Sequence, residues 1–167
     1  MKWVLVIILS VSVIACKEKK GYVSKDENNG DEVYNIVSDD EEMNKAIRQA
    51  KATFGQFLAA FDNQENDMRN FTVKLKFPLE ENSAEHMWLS GLFHKDKKLY
   101  GVLDSDPVNV TTVKWGDTLE VKTEFLSDWM YVKNGKLVGG YTIRVLYDKM
   151  DAAEKRSFRN EIDFEIE

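Results

Sequence analysis

One histidine and two aspartates in this sequence could carry acid–base chemistry. His86 is the candidate base, and Asp128 or Asp104 is the carboxylate that could orient it. Such a pair has to lie within hydrogen-bond distance in a cleft. Asp128 precedes Trp129, and a carboxylate beside an aromatic ring can have a raised pKa. Because turn aspartates usually bind backbone amides instead, the sequence leaves a hydrolase-like activity as an alternative hypothesis.

The two histidines could also contribute to a metal site. His86 and His94 are eight residues apart, which places both on one face of an unbroken strand, although Gly91 lies between them. A zinc site needs a third protein ligand, and Glu85 and Asp96 are the nearest candidates. The sequence contains no phosphate-binding loop, nucleophile elbow, zinc-protease motif or paired cysteines. We therefore predict no metal and no cofactor, and we assign no catalytic residue.

Aromatic and charged side chains offer a different chemistry, the binding of a ligand or a partner. A buried indole N–H seeks a hydrogen-bond partner, so a tryptophan can serve the core or a binding surface. Convergence on an exposed concave surface would favour binding, whereas uniform burial would make these residues part of the core. The candidate binding patch consists of His86, Trp88, Asp128, Trp129, Tyr131, Tyr141 and Arg144.

Cys16 is the only cysteine, and its thiol is the candidate for covalent modification. It follows Lys2 and an apolar run at 3–14, and a polar stretch comes after it. This order is typical of an export signal. The run is shorter than the roughly 20 apolar residues of a spanning helix. The segment resembles a bacterial lipoprotein signal peptide with the lipobox Val13-Ile14-Ala15-Cys16. We predict a signal peptide over 1–15 and lipidation of Cys16, the first mature residue.

Lipidation would place the protein in the bacterial cell envelope. A single acyl chain anchors marginally, whereas two or three anchor stably. Lys17 follows Cys16, where an aspartate signals inner-membrane retention in many enteric bacteria, so we expect the outer membrane or the periplasmic face. The formal net charge of −6 argues against nucleic acid, whose phosphates need Lys and Arg. The expected partners are the membrane, through its lipid anchor, and an unidentified protein or small molecule.

The elements that must position these residues begin after a polar segment. Residues 16–37 are rich in Lys, Glu, Asp, Asn and Gly and cannot bury enough apolar surface to fold alone. We predict a flexible tether there, in which 33–37 could instead form a short strand, and a single domain over 38–167. The sequence from Ser38 to Glu41 matches a capping box. Apolar residues then recur at spacings of three and four up to Phe61, which predicts an amphipathic helix.

The middle of the chain predicts strands. Residues 71–77 alternate strictly between apolar and polar side chains. Short strands with turn signals between them favour a curled antiparallel sheet or small barrel of about five to six strands. Residues 137–150 suit either a strand or a helix that starts after Gly140, and Asp151 begins a last short helix. The predicted class is α+β, with one long N-terminal helix and one or two short C-terminal helices. Further strands are predicted over 85–90, 99–103, 108–113, 118–122 and 125–132.

Five segments resemble the bacterial YegJ-like family, known as domain of unknown function 2314. They are residues 43–54, His86-Met-Trp-Leu89, Gly116-Asp117, Asp128-Trp-Met-Tyr131 and Gly139-Gly-Tyr-Thr-Ile-Arg144. The resemblance covers about residues 43 to 150 and implies a single α+β domain. It implies no activity, because the family has none established, and so it supplies no catalytic residues.

These observations lead to one functional prediction and two alternatives. We predict a cell-envelope lipoprotein whose domain is a non-catalytic binding or interaction module. An inhibitor or immunity-type protein that captures a basic partner through an acidic surface is the first alternative. A hydrolase-like enzyme that uses His86 with Asp128 or Asp104 is the second.

Overall fold

The computed structural model describes residues 22–25, 32–35, 40–80 and 83–167. The chain divides into two compact units, and the first ends at Asn35. In that unit β1 (Tyr22–Lys25) pairs antiparallel with β2 (Glu32–Asn35). The sequence suggested a strand near 33–37 only. The predicted signal peptide, Cys16 and the remainder of the predicted tether lie outside the described residues.

Helix α1 (Glu41–Asp62) is the first described element of the second unit. Asp40 caps it, because its Oδ1 accepts hydrogen bonds from the amides of Glu42 and Met43 at 3.0 and 3.1 Å. These amides have no partner inside the helix. The sequence predicted this helix but placed its cap at Ser38, which lies outside the described residues. The predicted apolar stripe is buried at Met43, Ala46, Ala50, Phe54 and Phe57.

Six strands form one antiparallel sheet in the order β6-β5-β4-β3-β7-β8. The sheet is open rather than closed into a barrel, and the predicted α+β class is confirmed. The predicted strand over 108–113 is absent, because the backbone amides of residues 108–110 bind the carboxylate of Glu85 and not a neighbouring strand. The strands are β3 (Met68–Pro78), β4 (Ala84–Lys95), β5 (Lys98–Leu103), β6 (Thr118–Glu120), β7 (Leu126–Lys133) and β8 (Lys136–Gly139).

The ambiguous segment 137–150 is a strand and then a helix. Strand β8 ends at Gly139, and α2 (Tyr141–Lys149) follows Gly140. The two glycines have φ angles of 73° and 61°, a region that residues with a Cβ rarely adopt. Helix α3 (Ala152–Glu161) completes the unit and begins with the capping box between Asp151 and Glu154 that the sequence predicted.

The core lies between α1 and one face of the sheet. Phe57 is fully buried, and its ring contacts the rings of Phe71 and Trp129 at centroid distances of 5.7 and 5.4 Å. Trp129 also donates a hydrogen bond from Nε1 to the carbonyl oxygen of Ala50 at 2.9 Å, which ties β7 to the helix. None of the described helices is long and apolar enough to cross a membrane.

Candidate functional site

The opposite face of the sheet carries a polar and aromatic cluster. Lys74 pairs with Trp88, and Lys76 pairs with His86, in the ladder between β3 and β4. Side chains directly opposite each other in an antiparallel ladder project to the same face. The alternating neighbours Val73 and Leu75 belong to the core on the α1 side. We call the surface defined by Lys74, Lys76, His86 and Trp88 the Lys74 face.

Lys74 is buried on this face, with only 7% of its surface exposed. Its Nζ lies 5.1 Å from the centre of the Trp88 ring, within the range of a cation–π contact. Among residues 40–80 and 83–167, no oxygen accepts a hydrogen bond or forms an ion pair with this nitrogen. Burial lowers the pKa of Lys74, and the charge of Asp128 opposes that shift. The ammonium group is therefore held in a site that does not stabilise its charge well.

His86 is half-buried beside the two lysines. Burial, together with the positive charges of Lys74 and Lys76, lowers its pKa to about 4. The imidazole is therefore neutral at physiological pH, with one ring nitrogen as donor and the other as acceptor. Together these groups give the Lys74 face positive charge, a neutral hydrogen-bonding group and an aromatic ring.

Asp128 pairs with Lys74 across the ladder between β3 and β7, but its carboxylate binds other groups. Oδ1 accepts hydrogen bonds from the amides of Trp129 at 2.8 Å and Tyr141 at 3.1 Å. Oδ2 accepts from the amide of Thr142 at 2.7 Å and from its hydroxyl at 2.6 Å. Burial raises the pKa of Asp128, and the bonds from Thr142 and the charge of Lys74 oppose this. Asp128 thus attaches the first turn of α2 to β7.

The hydrogen bond that an acid–base pair requires is not formed at His86. In the described part of the chain, no hydrogen bond joins His86 to Asp128 or Asp104. The four hydrogen bonds to Asp128 already use both lone-pair positions of each carboxylate oxygen. This geometry gives no support to general-base chemistry by Asp128.

His94 lies on the other side of the sheet from His86. The ladder between β4 and β5 shifts register between Ser90 and Phe93, around Gly91 with its φ of 53°. A shift of one residue moves the following side chains to the opposite face. His94 therefore approaches α1, where its Nε2 lies 2.8 Å from Oδ1 of Asp62. No three potential metal ligands cluster anywhere in the described ranges.

The seven residues of the predicted binding patch are divided between the two sides of the sheet. His86 and Trp88 are half-buried on the Lys74 face, with Asp128 fully buried next to them. The three aromatic residues pack on the α1 side, where Trp129 meets Tyr141 at 5.6 Å and Tyr131 stacks on Phe71 at 4.7 Å. Arg144 donates hydrogen bonds to the carbonyl oxygens of Leu137, Gly139 and Glu167 at 2.8, 3.0 and 2.6 Å.

The sequence singled out neither lysine of the Lys74 face, and of the two only Lys74 is buried. The alternation over 71–77 places it among the polar positions of a strand, which are ordinarily exposed. Its burial depends on β3 lying between β4 and β7. The sequence of β3 alone contains no signal for that position in the sheet.

Comparisons with known proteins identify the family of the chain and leave its activity open. The chain matches the DUF2314 family, described as an uncharacterized protein conserved in bacteria, over residues 40–166. It is 33% identical over 123 residues to the uncharacterized protein YegJ of Escherichia coli K12. The matched region covers 71% of this chain and 78% of that protein. It is 30% identical over 130 residues to a putative ankyrin repeat protein of Neisseria meningitidis serogroup B, covering 74% of this chain but 51% of that protein. No solved structure matches the chain. The chain therefore belongs to the DUF2314 family, as the resemblance of its sequence segments predicted.

Proposed function

We propose that this protein is a bacterial cell-envelope lipoprotein whose domain is a non-catalytic binding module. The lipidated thiol of Cys16 would hold it at a membrane. Support for the anchor comes from the sequence, in which the apolar run at 3–14 and Ala15 precede this single cysteine. Lys17 after the cysteine favours the outer membrane or the periplasmic face over the inner membrane.

The Lys74 face is the observation that carries the binding part of the proposal. Asp128 uses its carboxylate to hold α2, and His94 is paired with Asp62, so neither is available for chemistry. Lys74 and Trp88, by contrast, offer an ammonium group and an indole ring in contact with each other. A few polar groups beside an aromatic surface are typical of ligand sites.

The anchor is tested by metabolic labelling with palmitate and by membrane fractionation. We expect the natural protein to carry the label and to sediment with membranes. Cys16→Ser should lose the label and leave the membrane fraction, with the thermal unfolding of its domain unchanged. Lys17→Ser, which changes the next residue but keeps the thiol, is the control and should behave as the natural protein does. Membrane retention of unlabelled Cys16→Ser would overturn the anchor.

The binding module is tested by crosslinking the anchored protein in cells. Trp88→Ala should reduce recovery of a specific partner, because this substitution removes the ring from the Lys74 face. Trp115→Ala is the matched control, since its ring is 63% exposed in the turn before β6. Equal recovery with both variants would place the binding surface elsewhere. Absence of any specific partner, together with no ligand-induced thermal shift, would contradict a binding function.

A further inference from the structure

We infer that the Lys74 face holds a site for an organic carboxylate, in which the Lys74 ammonium binds the ligand's carboxylate and Trp88 packs against its flat or apolar body. This inference rests on the proposed binding function and names a ligand class for the same face. It assigns Lys74 a role that the sequence alone did not suggest.

The first step is that the Lys74 ammonium lacks a hydrogen-bond acceptor. It has three N–H donors, and no oxygen of the described residues accepts from them. Asp128 is opposite in the ladder, but its hydrogen bonds go to β7 and α2. In the described ranges, every fully buried side-chain nitrogen has a hydrogen-bond partner. Nζ of Lys74 therefore keeps some contact with solvent, through which a ligand oxygen could reach it.

The second step is that fold stability does not explain a lysine at this position. An ammonium loses hydration when it is buried, and an apolar side chain of similar length avoids this loss. The contact with Trp88 and the charge of Asp128 recover only part of this loss, because the pKa of Lys74 remains lowered. The packing of β3 on α1 comes from Val73 and Leu75, which alternate with Lys74 and lie in the core. A buried cation without an acceptor is explained by a ligand that supplies one.

The third step concerns the class of ligand. Lys74 and Lys76 attract an anion, and the neutral imidazole of His86 can donate a hydrogen bond to it. Asp128 lies beside Lys74 and repels a doubly charged group more strongly than a singly charged one. The ring of Trp88 offers a flat apolar surface. These features favour a monoanionic carboxylate on an aromatic or apolar body over a phosphate.

The test uses the purified full chain in a zwitterionic detergent and follows the Trp88 indole N–H by NMR. The probe is phenylacetate, and the uncharged phenylacetamide is its matched control. We expect a saturable shift of the Trp88 resonance with phenylacetate at millimolar concentrations, and no such shift with phenylacetamide or inorganic phosphate. No saturable shift with phenylacetate, or an equal shift with either control compound, would overturn the inference.

The substitution Lys74→Met separates a ligand-binding role from a structural one. We expect its urea midpoint to equal or exceed that of the natural protein, while phenylacetate binds about tenfold to a hundredfold more weakly, the range for loss of a charge-assisted hydrogen bond. Lys45→Met removes an exposed charge of α1 and should change neither property. A lower urea midpoint with unchanged affinity, or failure of Lys74→Met to fold, would make Lys74 structural and overturn the inference.

The inference and the proposed function can fail separately. Phenylacetate titration measures the site without a membrane or a cellular partner, whereas palmitate labelling measures the anchor without a ligand. Failed titration with normal labelling and Trp88-dependent crosslinking would overturn the carboxylate site alone. Normal titration without labelling of Cys16 would overturn the anchor alone.

Discussion

Lys74 and Asp128 are direct partners in the ladder between β3 and β7, yet the carboxylate of Asp128 hydrogen-bonds to the first turn of α2 and not to the ammonium. The free amides at the start of a helix favour a negative group. They satisfy the buried aspartate and leave the buried lysine without an acceptor among the residues that the structure describes. In this pair, Asp128 makes a structural contact with α2, and the ammonium of Lys74 is left available to bind a ligand.

The carboxylate of Asp128 is expected to stabilise the junction between β8 and α2. Asp128→Asn keeps the shape of the side chain but points an NH₂ group at donors that now bind an oxygen. We expect the free energy of unfolding to fall by about 2–4 kcal/mol, measured by urea denaturation. Amide exchange at Tyr141 and Thr142 should accelerate in the same variant. Asp148→Asn, on the exposed side of α2, should change stability by less than about 0.5 kcal/mol. Equal stability of the two variants would contradict this role.

The depressed pKa of His86 predicts loss of stability in weak acid. Its pKa is about 4 in the folded protein and about 6.5 in the unfolded chain. The unfolded state therefore binds the proton first, so stability present above about pH 6.5 is lost as pH falls, and the loss is complete near pH 4. The shift corresponds to about 2–4 kcal/mol. Urea denaturation between these two pH values measures it.

Comparison with variants isolates this effect from the titration of carboxylates. His86→Gln should lose less stability than the natural protein over the same pH interval, because the neutral amide takes up no proton. His94→Gln is the control, since His94 is exposed and lies beside Asp62. This variant should lose stability between about pH 6.5 and pH 4 as the natural protein does. Parallel stability curves for His86→Gln and the natural protein would show that the fold does not disfavour the imidazolium.

The sequence predicted what local patterns determine and missed what depends on strand order. The spacing of Ala50, Phe54 and Phe57 identifies α1, because a helix face is a local property. The burial of Lys74 follows from two neighbouring strands, of which β7 is distant from it in sequence.

The structure departs from two of the predictions. Residues 108–113 were predicted as a strand, since their composition does not reveal that Glu85 binds the amides of residues 108–110. The predicted patch was divided because alternation along β7 sends Asp128 and Trp129 to opposite faces.

Glu85 is expected to hold the segment after β5 in place of strand pairing. It is buried, and its Oε1 accepts from the amide of Val108 at 2.7 Å. Oε2 accepts from the amides of Asn109 and Val110 at 3.0 Å each. Glu85→Gln replaces one of these oxygens by a donor, so the free energy of unfolding should fall by about 1–3 kcal/mol. Faster amide exchange confined to residues 108–110 is the measurement.

The exposed Glu80 provides the comparison for this substitution. Glu80→Gln changes the same functional group outside the core and should leave exchange at residues 108–110 unchanged. If Glu85→Gln also left that exchange unchanged, the amides would be protected by something other than the carboxylate.

Gly139 is expected to be required by its contact with Trp129 in addition to its backbone conformation. A Cβ on Gly139 would lie 2.5 Å from two ring carbons of Trp129 and against its carbonyl oxygen. The ring has little freedom to move, because Trp129 is 1% exposed and its Nε1 donates a hydrogen bond to the carbonyl oxygen of Ala50. Gly135 has a similar φ of 75°, compared with 73° at Gly139, but nothing lies within 4 Å of a Cβ built there. The two glycines therefore separate backbone strain from steric overlap.

Urea denaturation of the two alanine variants measures each contribution. Gly135→Ala should lower the free energy of unfolding by about 1–2 kcal/mol, because alanine at positive φ is strained. Gly139→Ala adds overlap with Trp129, a side chain that cannot withdraw without breaking its contact with α1. The total loss should then reach about 3–5 kcal/mol. Equal losses in the two variants would mean that Trp129 moves aside, and that the close approach of β8 to this ring does not constrain the junction with α2.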